Sequence, residues 1–429
     1  MKKNMSYKYM RCLILVMWLT VSGMFASCNF LRVDDYFDDT MKFDSIFINY
    51  NNLAQYMWGI ADMLPDESKL FNVPYGPGPL ATDEAFTSFY TDNPGVAFYD
   101  GMKYVLGAVN ADNVTSIAGF NIWGQMYKVI RKCNYILVRK DEAGLKTLED
   151  EEITGYTHMI RGYAYYHLIQ FYGPCVILGD EILPNNELPN AYNFPRSTYD
   201  ECVDYCCEEL EKAAKYIPRD IPSNYYGRPS RGAAFALIAR LRLQQASPLY
   251  NGGQAARSTF GSWKRSVDGA YYVNQQYDER RWGVAAAACK RVINMNKYQL
   301  HTVIEDPSRP QRSLDNIDVS KAPFPNGVGG IDCYRSYSEM FNGETIGSKN
   351  PEFIWGRSMT DAVLNLRMVF PKTAVMGGYN GLCVTQKLVD AFYMADGRDK
   401  ANASEEYPYN IAEGTVTDDY FSKTVEAFS

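Results

Sequence analysis

The sequence contains very few histidines, with 3 among its 429 residues. Histidine is the commonest metal ligand and the commonest general base near neutral pH, so this scarcity disfavours metal and acid–base chemistry. His158 and His167 lie nine positions apart on one predicted helix, about half a turn out of phase, and therefore cannot share a ligand. We expect these two and His301 to be structural, and we expect neither a metal nor a cofactor.

The sequence also lacks the common motifs of hydrolases, metalloproteases, nucleotide-binding loops and EF-hands. The segment Gly76–Ala81 matches G-x-G-x-x-A, but it contains two prolines, which have no amide hydrogen to offer a phosphate. Asp83 and Glu84 are adjacent in the chain, whereas the carboxylates of glycosidases converge across the scissile bond at roughly 5–10 Å. Asp396 and Asp399 could hold calcium, although a solvated loop is the simpler interpretation. The protein is not expected to be an enzyme, and the open alternative is a surface glycoside hydrolase with carboxylates in its loops.

Positive charge is not concentrated anywhere along the chain. Lysine and arginine number 43 against 50 aspartates and glutamates, which gives a formal net charge of −7. Binding to a phosphate backbone needs clustered cations, so nucleic acid is not an expected partner. The hydrophobic share of 46% and the charged share of 22% instead indicate a folded chain with a sizeable core.

The N-terminus has only a short apolar stretch, Cys12–Met24, preceded by several cations. These 13 residues are too few to cross about 30 Å of hydrocarbon, which needs roughly 20, so they are typical of a secretory signal peptide. The stretch runs into Phe25–Cys28, which resembles the bacterial lipobox, with Phe25 where leucine is usual. We predict that residues 1–27 are a lipoprotein signal peptide and that Cys28 is lipidated.

An acidic segment follows Cys28 and contains four aspartates: Asp34, Asp35, Asp38 and Asp39. We interpret residues 28–43 as a tether. Acidic residues close to a lipidated cysteine resemble the surface-export signal of Bacteroidetes-type lipoproteins, and the alternative is a solvated leader without a sorting role. The sequence therefore predicts a lipid-anchored protein, and the resemblance to the export signal implies that it lies on the outer membrane and faces the cell exterior.

Eight of the 10 cysteines remain after Cys12 and Cys28 are assigned to the signal peptide and the anchor. They form no C-x-x-C pattern and no Cys/His cluster, so a zinc site is not expected. Cys202 and Cys206 lie one turn apart on a predicted helix and could pair in an oxidising compartment, but helical geometry rarely suits a disulfide. We interpret the remaining cysteines as buried free thiols.

Apolar residues at three- and four-residue spacings predict a mostly α fold between about residues 44 and 300. Thr198 and Glu201 form a capping box at the start of one helix. One short strand is predicted at Phe353–Trp355, and residues 44–429 are predicted to be a single domain of helical hairpins with loop excursions. The helices are predicted at Asn49–Leu64, Trp123 to about Leu137, Glu151–Phe171, Thr198 to about Pro218, Ser230–Ala246 and Trp282–Met295.

Aromatic residues are abundant, at 14% of the chain. Many of them fall in four long irregular stretches, at 65–115, 179–197, 249–281 and 299–350. Disordered linkers are depleted of aromatics, so we predict ordered surface excursions. Flat apolar rings beside amides and carboxylates suit pyranose rings, and extended peptides suit the same surface. The alternative is that most of these rings pack the loops themselves.

Several motifs, in chain order, resemble those of the RagB/SusD family. Trp123–Ile130 with Asn134 is similar to that family's W-x-x-x-Y-x-x-I-x-x-x-N signature. The segments Arg161–Tyr166 and Phe171–Pro174 are similar to the family's R-A-x-x-Y…Y-G-x-x-P segment. Here Cys175-Val176-Ile177 takes the place of the usual proline. The other matching segments are Thr82–Glu84, Arg228–Asn251, Tyr337–Phe341, Gln386–Ala391 and Met394–Arg398.

The resemblance implies a lipid-anchored outer-membrane protein with tetratricopeptide-repeat-like (TPR-like) helical hairpins beneath an irregular, loop-rich ligand-binding face. It implies a non-catalytic nutrient-uptake protein that binds glycans or oligopeptides. Its expected partner is a TonB-dependent transporter related to SusC, to which the ligand is delivered. A scaffold that only docks to the transporter is a further alternative.

The resemblance also implies candidate ligand-binding residues. Phe98-Tyr99-Asp100-Gly101 corresponds to a W-x-D-G-like segment of the family. Phe98 and Tyr99 are expected to be stacking platforms and Asp100 a hydroxyl acceptor, with Trp263 and Tyr334 as further candidates. Family members continue well past the segment Met394–Arg398, so the resemblance predicts that the C-terminal part is missing from this chain.

Overall fold

The computed structural model describes residues 43–65, 78–87, 102–110, 121–184, 186–306, 308, 322–323, 329–356, 383–393 and 398–403. Helices dominate these residues, as the sequence predicts. The α-helices are α1 Tyr50–Ala61, α2 Met102–Val105, α3 Trp123–Arg139, α4 Thr147–Tyr172, α5 Tyr199–Tyr216, α6 Arg231–Ala246, α7 Gln254–Phe260, α8 Arg280–Ile293, α9 Cys333–Ser338 and α10 Gln386–Ala391. Short 3₁₀ helices lie at Phe43–Phe47, Gly78–Ala81, Lys140–Ala143, Pro189–Tyr192, Ser223–Tyr225, Gly347–Lys349 and Lys400–Asn402.

Side-chain caps define where several helices begin. The Asn49 side chain accepts a hydrogen bond from Asn52 N at the start of α1. At the start of α5, Glu201 N donates to Thr198 Oγ1 at 3.3 Å, and Thr198 N donates to Glu201 Oε2 at 2.7 Å. This is the predicted capping box, which satisfies amides that have no partner within the helix.

The core is built around α4, which is buried along most of its length. Helices α3 and α5 pack on it, α1 packs on both α3 and α4, and α6 packs between α5 and α8. The longest helices thus pack side by side with their neighbours in the chain, as predicted for helical hairpins. Gly155 and Gly162 allow α5 to approach α4 closely, because a Cβ atom at either position would lie about 3 Å from side-chain atoms of α5 or the residue after it.

The predicted strand at Phe353–Trp355 is wrong. This segment is an irregular turn in which Trp355 Nε1 donates a hydrogen bond to Gly227 O at 2.8 Å. The strands in the described residues are instead β1 Ala85–Phe86 and β2 Cys383–Val384, which pair antiparallel. A three-residue apolar run does not reveal whether its backbone has a strand partner, because that partner lies far away in the sequence.

Five cysteines are buried free thiols, as predicted: Cys133, Cys175, Cys202, Cys206 and Cys207. The prediction is wrong for Cys289 and Cys333, which are exposed, and Cys383 is only partly buried. Within the ranges given above, no helix is both long and apolar enough to cross a bilayer. The same ranges contain no group of three or more His, Cys, Asp or Glu side chains arranged to hold a metal ion.

Candidate ligand-binding site

A series of aromatic rings leads from the core to the surface at Trp263. Tyr199, which is buried, stacks on Tyr250 with 4.0 Å between ring centroids and 9° between planes. Tyr250 faces Phe260 at 6.1 Å, Phe260 faces Trp263 at 6.1 Å, and Trp263 contacts Tyr272 at 4.7 Å. The position of the half-buried Trp263 ring is therefore fixed by neighbours on both sides.

The backbone around Trp263 is anchored to the start of α5. Tyr272 N donates to Trp263 O at 3.1 Å, and an antiparallel bridge joins Lys264 to Tyr271. Tyr199 N then donates to Tyr272 O at 2.7 Å. This segment belongs to the predicted irregular stretch 249–281, and these hydrogen bonds make it the ordered excursion that the sequence predicts.

A surface pocket of about 480 Å³ opens beside Trp263. Its second wall is the segment from Asn193 to Arg196, which follows a 3₁₀ turn. The Arg196 guanidinium lies 4.8 Å above the Trp123 ring, and its Nη1 donates to Pro174 O at 3.2 Å. The lining residues are Asn193, Phe194, Pro195, Arg196, Trp263, Ser266, Val267 and Tyr272.

The lining combines flat apolar rings with a small number of polar groups. Trp263 and Tyr272 supply ring surface, while Asn193 and Ser266 supply amide and hydroxyl groups that both donate and accept hydrogen bonds. Arg196 also lines this wall, and its guanidinium is held by Trp123 and Pro174 O. A sugar ring has apolar C–H faces and hydroxyls at its edge, so the pocket has the chemistry to hold a pyranose unit.

A second pocket, of about 470 Å³, lies between α1, α4 and the turn at Trp355. Its lining includes Trp58, Tyr163, Tyr226 and Trp355, but its aromatic groups are already engaged. The Arg228 guanidinium lies 4.4 Å above the Trp58 ring, and Tyr163 packs edge-on against Trp355 at 5.0 Å. The rings of the Trp263 pocket also contact one another, so these contacts do not distinguish the two pockets. We take the Trp263 pocket as the candidate because it contains a ligand-binding residue that the sequence predicts.

The structure describes two of the predicted ligand-binding residues and separates them. Trp263 lines the pocket, whereas Tyr334 is 49% exposed on α9 and is not part of that lining. Phe98, Tyr99 and Asp100 lie outside the described residues, as does the predicted lipidation site Cys28.

Sequence reasoning did not identify the wall formed by Phe194 and Arg196 as part of a site. These residues lie within the predicted stretch 179–197, where Pro195 indicates only a break in regular structure. Their position opposite Trp263 depends on the packing of α5 against its neighbours, which has no local signal.

Part of the chain matches a known protein family. Residues 49–243 match the SusD-like family model described as starch-binding and associating with the outer membrane. The matched range contains α1 to α5 and most of α6, together with the Asn193–Arg196 wall of the Trp263 pocket. No curated protein matches the chain in sequence.

Solved structures with a similar fold include a SusD-like protein of Bacteroides fragilis, with 20% identity, a TM-score of 0.58, and coverage of 91% of this chain and 60% of that one. BT4246 has 22% identity and a TM-score of 0.62, over 84% and 60% of the two chains. A SusD-like carbohydrate-binding protein of Bacteroides fragilis has 17% identity and a TM-score of 0.54, over 85% and 57%. This chain thus spans 57–60% of the length of these structures, and the likeness establishes the fold.

Proposed function

Residues 49–243 match the SusD-like family model, and on that premise we propose that this chain is a SusD-like cell-surface lipoprotein that binds glycans. It passes the bound glycan to a SusC-like TonB-dependent transporter in the outer membrane. The starch-binding description of the family and the carbohydrate-binding relative from Bacteroides fragilis support the ligand class. Oligopeptides are the other ligand class that an aromatic surface suits.

The observation that carries the proposal is the position of Trp263 at the surface end of a packed series of rings. A ring that is already held in place loses little conformational entropy when a ligand stacks on it. Asn193, Ser266 and Arg196 line the same pocket and provide hydrogen-bonding groups for sugar hydroxyls. The pocket accommodates one or two sugar units of a longer chain, the rest of which extends over the loop surface.

We propose that a second segment, which contains Phe98, Tyr99 and Asp100, contributes to the ligand surface. Phe98 and Tyr99 are proposed as further stacking platforms, Asp100 as a hydroxyl acceptor, and Tyr334 as an additional contact. The resemblance to the RagB/SusD family motifs supports these assignments. Single alanine variants of Phe98 and Tyr99 test them, and an unchanged glycan affinity in both would remove this segment from the site.

Isothermal titration calorimetry with maltoheptaose, and with a panel of other oligosaccharides and peptides, tests the binding proposal. We expect a glycan in the panel to bind, and Trp263→Ala to weaken its affinity by roughly tenfold or more, because about 1.4 kcal/mol of stacking corresponds to a factor of ten. Trp282→Ala is the matched control, since Trp282 is 41% exposed on α8 and outside the pocket lining.

The outcomes of the titration distinguish the glycan-binding function from its assignment to the Trp263 pocket. If no glycan binds while a peptide does, the ligand class is wrong. If a glycan binds with equal affinity to the wild type and Trp263→Ala, the glycan-binding function stands and the Trp263 pocket is not its site. Loss of affinity in Trp282→Ala alone would move the site to the face of α8.

A turnover assay addresses the enzyme alternative. We expect no release of reducing ends when the purified protein is incubated with the polysaccharide whose oligosaccharide it binds. Release of reducing ends that persists through purification and disappears in a carboxylate variant would contradict a pure binding protein.

The anchor and the partner need experiments in cells. We expect Cys28→Ala to abolish labelling by a radiolabelled fatty acid and to release the protein from the membrane fraction, because a lipoprotein without its acyl chains has no membrane anchor. Protease added to intact cells should digest the wild-type protein if it faces the exterior.

Copurification of a TonB-dependent barrel after mild solubilisation would support the transporter partner, and its absence after cross-linking would argue against it.

A further inference from the structure

Two buried thiols lie close together, one just after the end of α4 and the other in the first turn of α5. Cys175 Sγ and Cys202 Sγ are 3.6 Å apart, and both residues are fully buried. Cys175 N also donates a hydrogen bond to Cys202 Sγ at 3.3 Å. Cys175 follows Gly173-Pro174 at the end of α4, and Cys202 lies in the first turn of α5.

We propose that Cys175 and Cys202 form a disulfide when the chain folds in the presence of a disulfide-donating oxidant, and that this bond closes the loop that carries one wall of the Trp263 pocket. A disulfide needs an S–S separation of about 2 Å, so the two sulfurs must move together by roughly 1.5 Å. Cys175 is not part of a helix, so helical hydrogen bonds do not oppose that adjustment.

The neighbouring thiol of Cys206 does not compete for this pairing. Cys206 Sγ is directed at α4, where it lies 3.1 Å from Gly162 O. The sequence pattern points to Cys202 and Cys206 as the possible pair because they are one turn apart, but the structure directs their thiols to different neighbours. Among the described cysteines, the thiol within bonding reach of Cys202 is therefore that of Cys175.

The chemistry is a two-step thiol–disulfide exchange. The Cys202 thiolate attacks one sulfur of a donor such as oxidised glutathione, which forms a mixed disulfide and releases one glutathione thiolate. The Cys175 thiolate then attacks Cys202 Sγ and releases the second glutathione. The two protein thiols lose two protons and two electrons, and the donor disulfide is reduced to two thiols.

The order of attack follows from the hydrogen bonds. The hydrogen bond that Cys175 donates lowers the pKa of Cys202, whereas the same contact and burial raise the pKa of Cys175. In folding intermediates that have already formed this contact, Cys202 is thus the thiol that ionises first and attacks the donor. Because both residues are buried in the folded protein, the donor must react while the chain is folding.

The bond would reinforce a contact that is already present. Ser197 N donates to Cys175 O at 2.8 Å, which brings together the two ends of the loop that contains Asn193–Arg196. A covalent link at the same place removes conformations from the unfolded chain and prevents the ends from separating. The pocket wall opposite Trp263 is then held at its base whether or not the pocket binds a glycan.

Refolding of the full chain tests the proposal. The protein is unfolded in urea with dithiothreitol and refolded in a mixture of reduced and oxidised glutathione, and free thiols are counted after denaturation. We expect two fewer thiols than the eight of the reduced mature protein, in which Cys12 has left with the signal peptide and Cys28 carries lipid, and a disulfide-linked peptide containing Cys175 and Cys202 in a non-reducing digest. We also expect the oxidised protein to have a Tm about 3–6 °C above that of the reduced protein.

Matched variants identify the pair. Cys175→Ser and Cys202→Ser should each abolish the loss of two thiols, while Cys206→Ser should retain it because its thiol faces Gly162. An unchanged thiol count in wild type, or a linked peptide joining any other pair, would overturn the proposal. The mapping in the unmodified chain does not depend on whether a variant folds, and it does not depend on glycan binding.

Discussion

The guanidinium of Arg161 and the carboxylate of Glu209 form a buried ion pair between α4 and α5, with 2.7 Å between Nε and Oε2 and at most 1% exposure of either side chain. Arg161 Nη1 also donates to Asn134 Oδ1 on α3 at 2.7 Å and to Asp180 Oδ1 at 2.6 Å. Lys212 Nζ and His158 Nδ1 contact the same Glu209 carboxylate at 2.9 and 2.8 Å. One arginine thus joins three helices and the turn that follows α4.

Removal of the Arg161 charge should strongly destabilise the fold. Arg161→Met leaves the Glu209 carboxylate buried without its main partner, and we expect the free energy of unfolding to fall by about 3–5 kcal/mol. Urea unfolding followed by circular dichroism measures this loss. The control is Arg280→Met, because Arg280 pairs with Asp278 at the exposed start of α8 and should be replaceable without a measurable change. Equal losses in the two variants would contradict a special role for the buried pair.

The ion pair predicts a loss of stability in acid. Burial by itself raises the pKa of Glu209, but hydrogen bonds from His158 and Arg161 outweigh it and lower the pKa from 4.5 to about 2. The stabilisation is therefore complete above about pH 4.5 and is lost as the pH falls towards 2, by roughly 3 kcal/mol in total. Glu209→Gln should flatten the dependence of the unfolding free energy on pH in this window. A slope identical to that of the wild type would show that Glu209 does not titrate as inferred.

The buried His167 predicts a second loss of stability, at a higher pH than the loss due to Glu209. Burial within α4 lowers the pKa of His167 from 6.5 to about 4, so the unfolded chain binds more protons between these values. Stability is complete above about pH 6.5 and falls as the pH decreases to 4, by roughly 3 kcal/mol. In His167→Gln we expect this slope to disappear while the slope below pH 4.5 remains. Thermal or urea unfolding at half-unit pH steps separates the two windows, and a persistent slope above pH 5 would assign the effect to another group.

Glycine substitutions test the close packing of α4 on α5. A Cβ atom at Gly155 would lie 2.9 Å from Tyr216 Cβ and 3.3 Å from the backbone N of Ile217, so Gly155→Ala should force the helices apart and cost about 1–3 kcal/mol. The matched control is Gly59→Ala on α1, where no atom lies within 4 Å of the new Cβ. That change should stabilise the protein by about 0.5–1 kcal/mol through helix propensity. Denaturant midpoints of the two variants should shift in opposite directions, and a shared sign would contradict the packing argument.

The sequence predicts helix positions well where local hydrogen bonds decide them. The Thr198–Glu201 capping box places the start of α5 at Tyr199, as the structure has it. The sequence predicts the start of α4 too late, at about Glu151 rather than Thr147, because the Glu149 carboxylate accepts from Lys146 N and extends the helix by a turn. Lysine is not a usual capping residue, so this cap has no clear sequence pattern.

The candidate site likewise has one part that can be recognised from the sequence and one part that cannot. Trp263 is recognisable from the sequence as an aromatic residue in a long loop, and it does line a pocket. Its opposing wall, Phe194 and Arg196, is not recognisable, because the two segments are about 70 positions apart and meet only when the loop after α7 is hydrogen-bonded to the start of α5. The expected ligand residues Phe98, Tyr99 and Asp100 remain predictions.

The sequence by itself determined the mostly α fold, the family motifs and the capping of α5, since each rests on residues within one or two helical turns of one another. Only the tertiary structure decided which side chains meet across elements. It places the Cys202 thiol beside that of Cys175 rather than that of Cys206, and it forms the ion pair between Arg161 and Glu209. It also places Trp355 in a turn, where its indole N–H donates a hydrogen bond to Gly227 O. Contacts between distant segments depend on how whole helices pack, and local spacing carries no record of that packing.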